Sequence, residues 1–96
     1  MKLMTKELEA RFAVVGSQQD EEDPLVIAKF FDPCGSWTWF AYEYNPQERT
    51  FFGLVHGFEK EFGSFSLDEL QSIRGLLGIG IERDIHFTER RISDIK

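Results

Sequence analysis

Three short runs of apolar and aromatic residues, LVIAKFF (Leu25–Phe31), WTWFAYEY (Trp37–Tyr44) and TFFGLVH (Thr50–His56), are separated only by the turn sequences DPCGS and NPQER. Runs of this kind, rich in β-favouring residues and bounded by Pro, Gly, Asn or Asp, are strand signals. Proline fixes φ and glycine permits positive φ, so Asp32–Ser36 reads as one turn and Asn45–Arg49 as another. Connections this short join antiparallel neighbours, because a parallel neighbour needs a long crossover. Leu25–His56 is therefore expected to be a three-stranded meander. Alternation along the second strand sets Trp37, Trp39, Ala41 and Glu43 against Thr38, Phe40, Tyr42 and Tyr44.

Helical signals flank the meander. Thr5 is placed to cap a helix on which Leu8, Phe12 and Val15 share a face, and Gly16 ends it. Ser66 begins a second helix with Glu69 three residues on, the capping-box spacing. Leu67, Leu70 and Ile73 carry this helix to Arg74, and Gly75, Gly78 and Gly80 divide the next stretch. Ile81–Phe87 reads as a last strand, with Ile81, Arg83, Ile85 and Phe87 on one face and Glu82, Asp84 and His86 on the other. Gly57–Gly63 is a loop or a short hairpin leading into Ser64-Phe65, and Arg90–Lys96 a short helical turn. Ser17–Pro24, polar and without periodicity, reads as a mobile loop. The expected fold is α+β, a single domain over residues 1–96. An antiparallel sheet of four to five strands carries the helices Thr5–Val15 and Ser66–Arg74 packed on one face. Phe12, Ile27, Phe40, Phe52, Leu54, Leu70 and Ile73 are the expected core.

The formal net charge is −6, and Asp20–Asp23 is a run of four acids. Such a chain is repelled by phosphate backbones, which disfavours direct DNA binding through a basic face. The single cysteine, Cys34, forms no internal disulfide, in keeping with a reducing compartment. The opening MKLMTKELEARF has no long apolar run, so neither a signal peptide nor a membrane span is expected. The expected location is cytoplasmic.

Several segments resemble a family catalogued as domain of unknown function 2958. They are Met1-Lys2-Leu3 with Thr5–Leu8, Val26–Phe31, Pro33, Gly35, Thr38-Trp39, Arg49–Gly53, Ser66–Leu70 and Gly80–Asp84. The resemblance runs from Met1 to Ile95. It implies a setting on plasmids, phages and integrated elements, and brings no catalytic residues. Phe58–Glu61 is shorter than the loop such proteins carry there.

Candidate chemistry is sparse. Glu82-Arg83-Asp84 places two carboxylates around a guanidinium, but alternation puts Arg83 on the opposite face, where it is expected to lie over the core. His56 and His86 have no His or Cys partner at ligand spacing, and H-x-x-x-H, C-x-x-C and H-E-x-x-H are absent. Cys34 lies in a turn without a neighbouring base. No catalytic residue, cofactor or metal is expected. Trp37, Trp39, Tyr42 and Tyr44 put rings on both faces of one strand, and Lys29 is the one cation within Leu25–Tyr44. Base stacking on strand aromatics normally comes with basic residues along the groove. The exposed ring among the four is therefore expected to meet a protein partner, together with Glu82, Arg83 and Asp84. These features read as a small acidic, non-enzymatic interaction protein of a mobile element. Its expected partner is a protein of unknown identity, one with a basic surface being a version the charge suits, and inhibition of a host defence protein is another concrete version. The alternatives are a nucleic-acid-associated factor in plasmid transfer or replication, and a small enzyme using Glu82, Asp84 and His86. The pattern leaves oligomeric state open.

Overall fold

The computed structural model describes residues 1–96, except for the side chain of Leu76. Thr5 caps α1 (Lys6–Val15) through its Oγ1, which accepts from the Leu8 amide at 3.1 Å. Gly16, at φ 70°, closes the other end with its N–H on the Phe12 carbonyl. The chain continues through β1 (Leu25–Val26), β2 (Ala28–Phe31), β3 (Thr38–Asn45), β4 (Thr50–His56), β5 (Lys60–Ser66), α2 (Leu67–Ser72), β6 (Glu82–Arg83) and β7 (Arg90–Arg91). The order β5-β4-β3-β2-β6 forms a five-stranded antiparallel sheet, and β1 pairs with β7 as a separate ribbon. The fold is α+β, with α1 and the short α2 on the same face.

That face carries the larger core. Phe12 from α1 and Leu67 and Leu70 from α2 pack on Phe30, Trp39, Phe51 and Phe65 from the sheet. Phe51 lies 4.8–5.7 Å from the rings of Phe12, Phe30, Tyr44 and Phe65. On the opposite face Val26, Phe40, Tyr42 and Leu54 are covered by Ile92, with Phe87 and Ile95 beside them. The cover there is the C-terminal segment, running across the sheet as a strap.

The structure corrects several expectations. Leu25–Phe31 is not one strand. Ile27 still donates to the Ala41 carbonyl at 2.9 Å, but Leu25 and Val26 turn away to pair with Arg91 and Arg90. Phe52 is 43% exposed, whereas Phe51 is fully buried, because β4 turns Phe51 to the helices and Phe52 to the side only partly covered by the strap. A bulge in β3 between Ala41 and Glu43 breaks the alternation. Tyr44 crosses to the helix side, and Glu43 to the other. Opposite the bulge, a Cβ on Gly53 would collide with the Phe40 carbonyl, so only glycine fits.

The second helix ends at Ser72, capped by Ser66 Oγ on the Glu69 amide at 3.2 Å. Ile73 is extended and 36% exposed, since Arg74 bridges to Gly80 and Gly75 donates to Ile79, pulling the chain off the helical path. Ile81–Phe87 is not a full strand either. Asp84 takes the His86 amide on its side chain and the Phe87 amide on its carbonyl, and this turn stops β6 after Arg83 and leaves Ile85 exposed. Gly57–Gly63 belongs to a hairpin longer than expected, with β5 beginning at Lys60. Arg90–Lys96 combines β7 with a 3-10 turn over Ile92–Asp94.

The acidic loop is anchored by a buried glutamine that the polarity pattern hides. Gln18 Nε2 donates to the carbonyls of Leu25 (2.9 Å) and Tyr42 (2.7 Å), and its Oε1 accepts from the Leu25 amide at 2.7 Å. Its own amide donates to Glu43. At the other end of the loop, Asp23 accepts from the Ser93 amide and hydroxyl, bonds that hold its carboxyl below the usual range.

Candidate functional site

The turn before β3 aims Trp37. The Asp32 amide donates to the Trp37 carbonyl at 3.0 Å, and the Asp32 side chain accepts from the Cys34 amide. The Trp37 ring then lies on Gly57, where a Cβ would come within 2.5 Å of the indole. Gly57 donates to the Glu59 carbonyl at 3.0 Å and so tightens the β4–β5 hairpin. This puts Phe58 at the tip, 95% exposed. The Phe58 ring stands edge-on to Trp37, with centroids 5.3 Å apart and planes at 83°. Trp37 is backed in turn by Trp39 at 5.9 Å, which belongs to the buried core. Trp37, Val55, Gly57, Phe58, Glu59 and Glu61 line an open depression of about 380 Å³. Two rings meet at close to a right angle, and the lining residues include two glutamates and no cation. A ring face attracts a cation through its quadrupole, and the carboxylates add ordinary charge attraction.

The residues singled out on the last strand are divided between two other places. Glu82 pairs opposite Phe31 and borders a depression of about 460 Å³ with Met1, Lys2, Gln71 and Arg74. Arg83 donates its amide to Met1 Sδ at 3.0 Å, and its Nε is buried with no partner among the described residues. Asp84 lies 3.6 Å from Lys29 Nζ, donates its amide to the Lys29 carbonyl and accepts from the His86 amide. Asp84 and His86 share a depression with Lys29, Phe40, Phe87 and Arg90, which Glu82 does not reach. The structure therefore does not bring Glu82, Asp84 and His86 together. Asp84 holds a turn and a lysine there.

Of the four aromatic residues expected on one strand, Trp39 and Tyr42 are buried and Tyr44 half-buried on β3, while Trp37, also half-buried, precedes β3, which begins at Thr38. Tyr44 packs on Phe12 and Phe51. Burial raises the phenol pKa of both tyrosines above the usual value. His56 stands edge-on to Phe40 at 5.0 Å, and its Nε2 is buried without a partner among the described residues. Burial, and then Lys60, push its pKa down. Cys34 is exposed.

The family described as protein of unknown function (DUF2958) matches residues 3–95. The chain belongs to that family. No curated protein and no solved structure matches it. What the DUF2958 chain can do chemically must come from its own side chains. Among the described residues no three His, Cys, Asp or Glu converge to hold a metal ion, and no helix is long and apolar enough to cross a membrane. The Trp37–Phe58 corner of this DUF2958 protein combines an almost fully exposed ring with a second ring and two glutamates.

Sequence reasoning reached Trp37 but missed Phe58, Glu59 and Glu61. The signal was present in HGFEKEF: a large ring between a glycine and a charged run marks a hairpin tip that displays its side chain.

Proposed function

We propose that this DUF2958 protein is a non-catalytic interaction module that takes a cationic side chain of a protein partner in the Trp37–Phe58 corner. The observation that carries this reading is the nearly perpendicular ring pair in a depression that Glu59 and Glu61 also line. Phe58 is displayed to solvent on a hairpin tip, where its ring is accessible to a partner. The −6 charge favours a basic partner and steers the encounter, while it opposes binding to a phosphate backbone. On a plasmid or phage, one use for such a protein is to cover a basic surface of a host protein, a defence protein among them. That last step rests on the genetic setting of the family and on no residue.

The test is calorimetric titration at physiological salt with a hexa-arginine peptide, a hexaglutamate peptide and a single-stranded oligonucleotide. Only the arginine peptide should bind. Trp37→Ala and Phe58→Ala leave the net charge unchanged, so bulk attraction is retained in both. Each should weaken binding about fivefold, the equivalent of about 1 kcal/mol per cation–ring contact. Equal binding by parent and variants would remove the corner from the account. Tight binding of the oligonucleotide would favour a nucleic-acid factor instead.

A further inference from the structure

The two edges of the sheet are treated differently. The β6 edge is two residues long, and Met1 takes the Arg83 amide. The β5 edge is seven residues long, KEFGSFS, without proline. β5 is the terminal strand, and no backbone hydrogen bond reaches its outer side from elsewhere among the described residues. Its charges are confined to Lys60 and Glu61, so Phe62–Ser66 carries none of the features that usually blunt an edge.

The side chains of β5 alternate between the two faces. Phe65 belongs to the helix-side core, which places Glu61 and Gly63 on that side, next to the Trp37–Phe58 corner. A Cβ on Gly63 would meet nothing within 4 Å, so space is open there. Phe62, on the other side, is half-exposed, with Lys96 Nζ 5.6 Å from its ring centre.

We infer that the partner binds as an extended segment that adds to β5 as a sixth strand and sets a Lys or Arg into the Trp37–Phe58 corner beside Glu61. This deepens, and rests on, the reading of that corner as a cation site. Strand addition draws affinity from main-chain hydrogen bonds and specificity from pockets that meet alternate side chains. The corner supplies such a pocket on one face. The half-exposed Phe62 supplies an apolar contact on the other. Charge decides the occupant: a second copy would bring −6 against −6, whereas a basic segment is attracted.

The probe is a blocked heptapeptide of alternating Thr and Val with a central Arg, in three forms: unmodified, N-methylated at the odd amides, and N-methylated at the even amides. In a strand, alternate N–H groups point to the same edge, so only one methylated form should lose affinity. It should bind at least about tenfold more weakly than the unmodified peptide, the other form within about twofold. Amide exchange should slow, when the peptide is bound, at the alternate residues of Lys60–Ser66 whose N–H groups point away from β4. If both methylated forms bind equally while Trp37→Ala still weakens hexa-arginine, the cation site stands and strand addition falls. If Trp37→Ala changes neither ligand, both fall. Slow exchange in the free protein at those outward-pointing amides, with a dimer in sedimentation, would assign the edge to a second copy and overturn the inference.

Discussion

On the helix side of the sheet Phe51 is fully buried among four other rings, while its neighbour Phe52 on the opposite side is 43% exposed with Tyr42 as its aromatic contact. The two residues share a strand and a chemistry. They differ in what lies over them: two helices on one side, a narrow strap on the other. Burial, and with it the energetic weight of a phenylalanine, is decided by the covering segment and not by the strand.

Paired truncation measures how differently the two faces are closed. Phe51→Ala should cost about 3–5 kcal/mol, the range for a large ring removed from a packed core. Phe52→Ala should cost about 1 kcal/mol, because much of that ring is already in water. Urea denaturation of both variants measures the difference, and equal losses would mean that the faces are equally closed. Ile92→Ala then tests the strap. Ile92 is the buried tail residue over Val26, Phe40 and Leu54, and its truncation should cost about 2–3 kcal/mol. A loss under about 0.5 kcal/mol would show that the strap does not close that face.

The two sides also differ in how legible they were. The helix side follows from spacing: Thr5 with Leu8, Phe12 and Val15, and Ser66 with Glu69 and Leu70, all act as their positions imply. The opposite side does not. Its cover, Phe87 with Ile92 and Ile95, lies in a charged tail with no strand or helix period, and its position depends on long-range pairing of Arg90 and Arg91 with β1. The bulge at Tyr42, which reverses Tyr44 and Glu43, is equally non-local, since only the crowding of Gly53 against Phe40 betrays it. In the candidate site, the turn that aims Trp37 was readable, but the hairpin tip that sets Phe58 against it required the length of β5.

Gln18 sharpens the contrast, because it ties a polar loop to the less covered side. Gln18→Ala leaves the Leu25 amide and the Tyr42 carbonyl without their partner. The expected cost is about 1–3 kcal/mol, read by thermal unfolding, with faster amide exchange over Ser17–Glu22. A neutral result would restore the picture of a free loop.

The smallest effect concerns pH. His56 lies on the strap side against Phe40 and across from Lys60, and its folded pKa is depressed. The fold favours the neutral ring, so its contribution is full above the ordinary histidine pKa and is lost as pH falls from there through the lower pKa of the folded state. The parent should lose more melting temperature than His56→Phe between about pH 7 and pH 5. An equal loss would mean that His56 is solvated in the fold.

If the Trp37–Phe58 corner receives cations, the indole N–H resonances register it. Trp37 lines the corner, whereas Trp39 is buried behind it, so the two indoles serve as probe and internal control. During titration with hexa-arginine, the Trp37 indole should shift progressively together with the amides of Phe58, Glu59 and Glu61, while the Trp39 indole shifts far less. A titration that leaves the Trp37 indole in place, or moves instead the amides around Lys29, Asp84 and Arg90, would contradict the account.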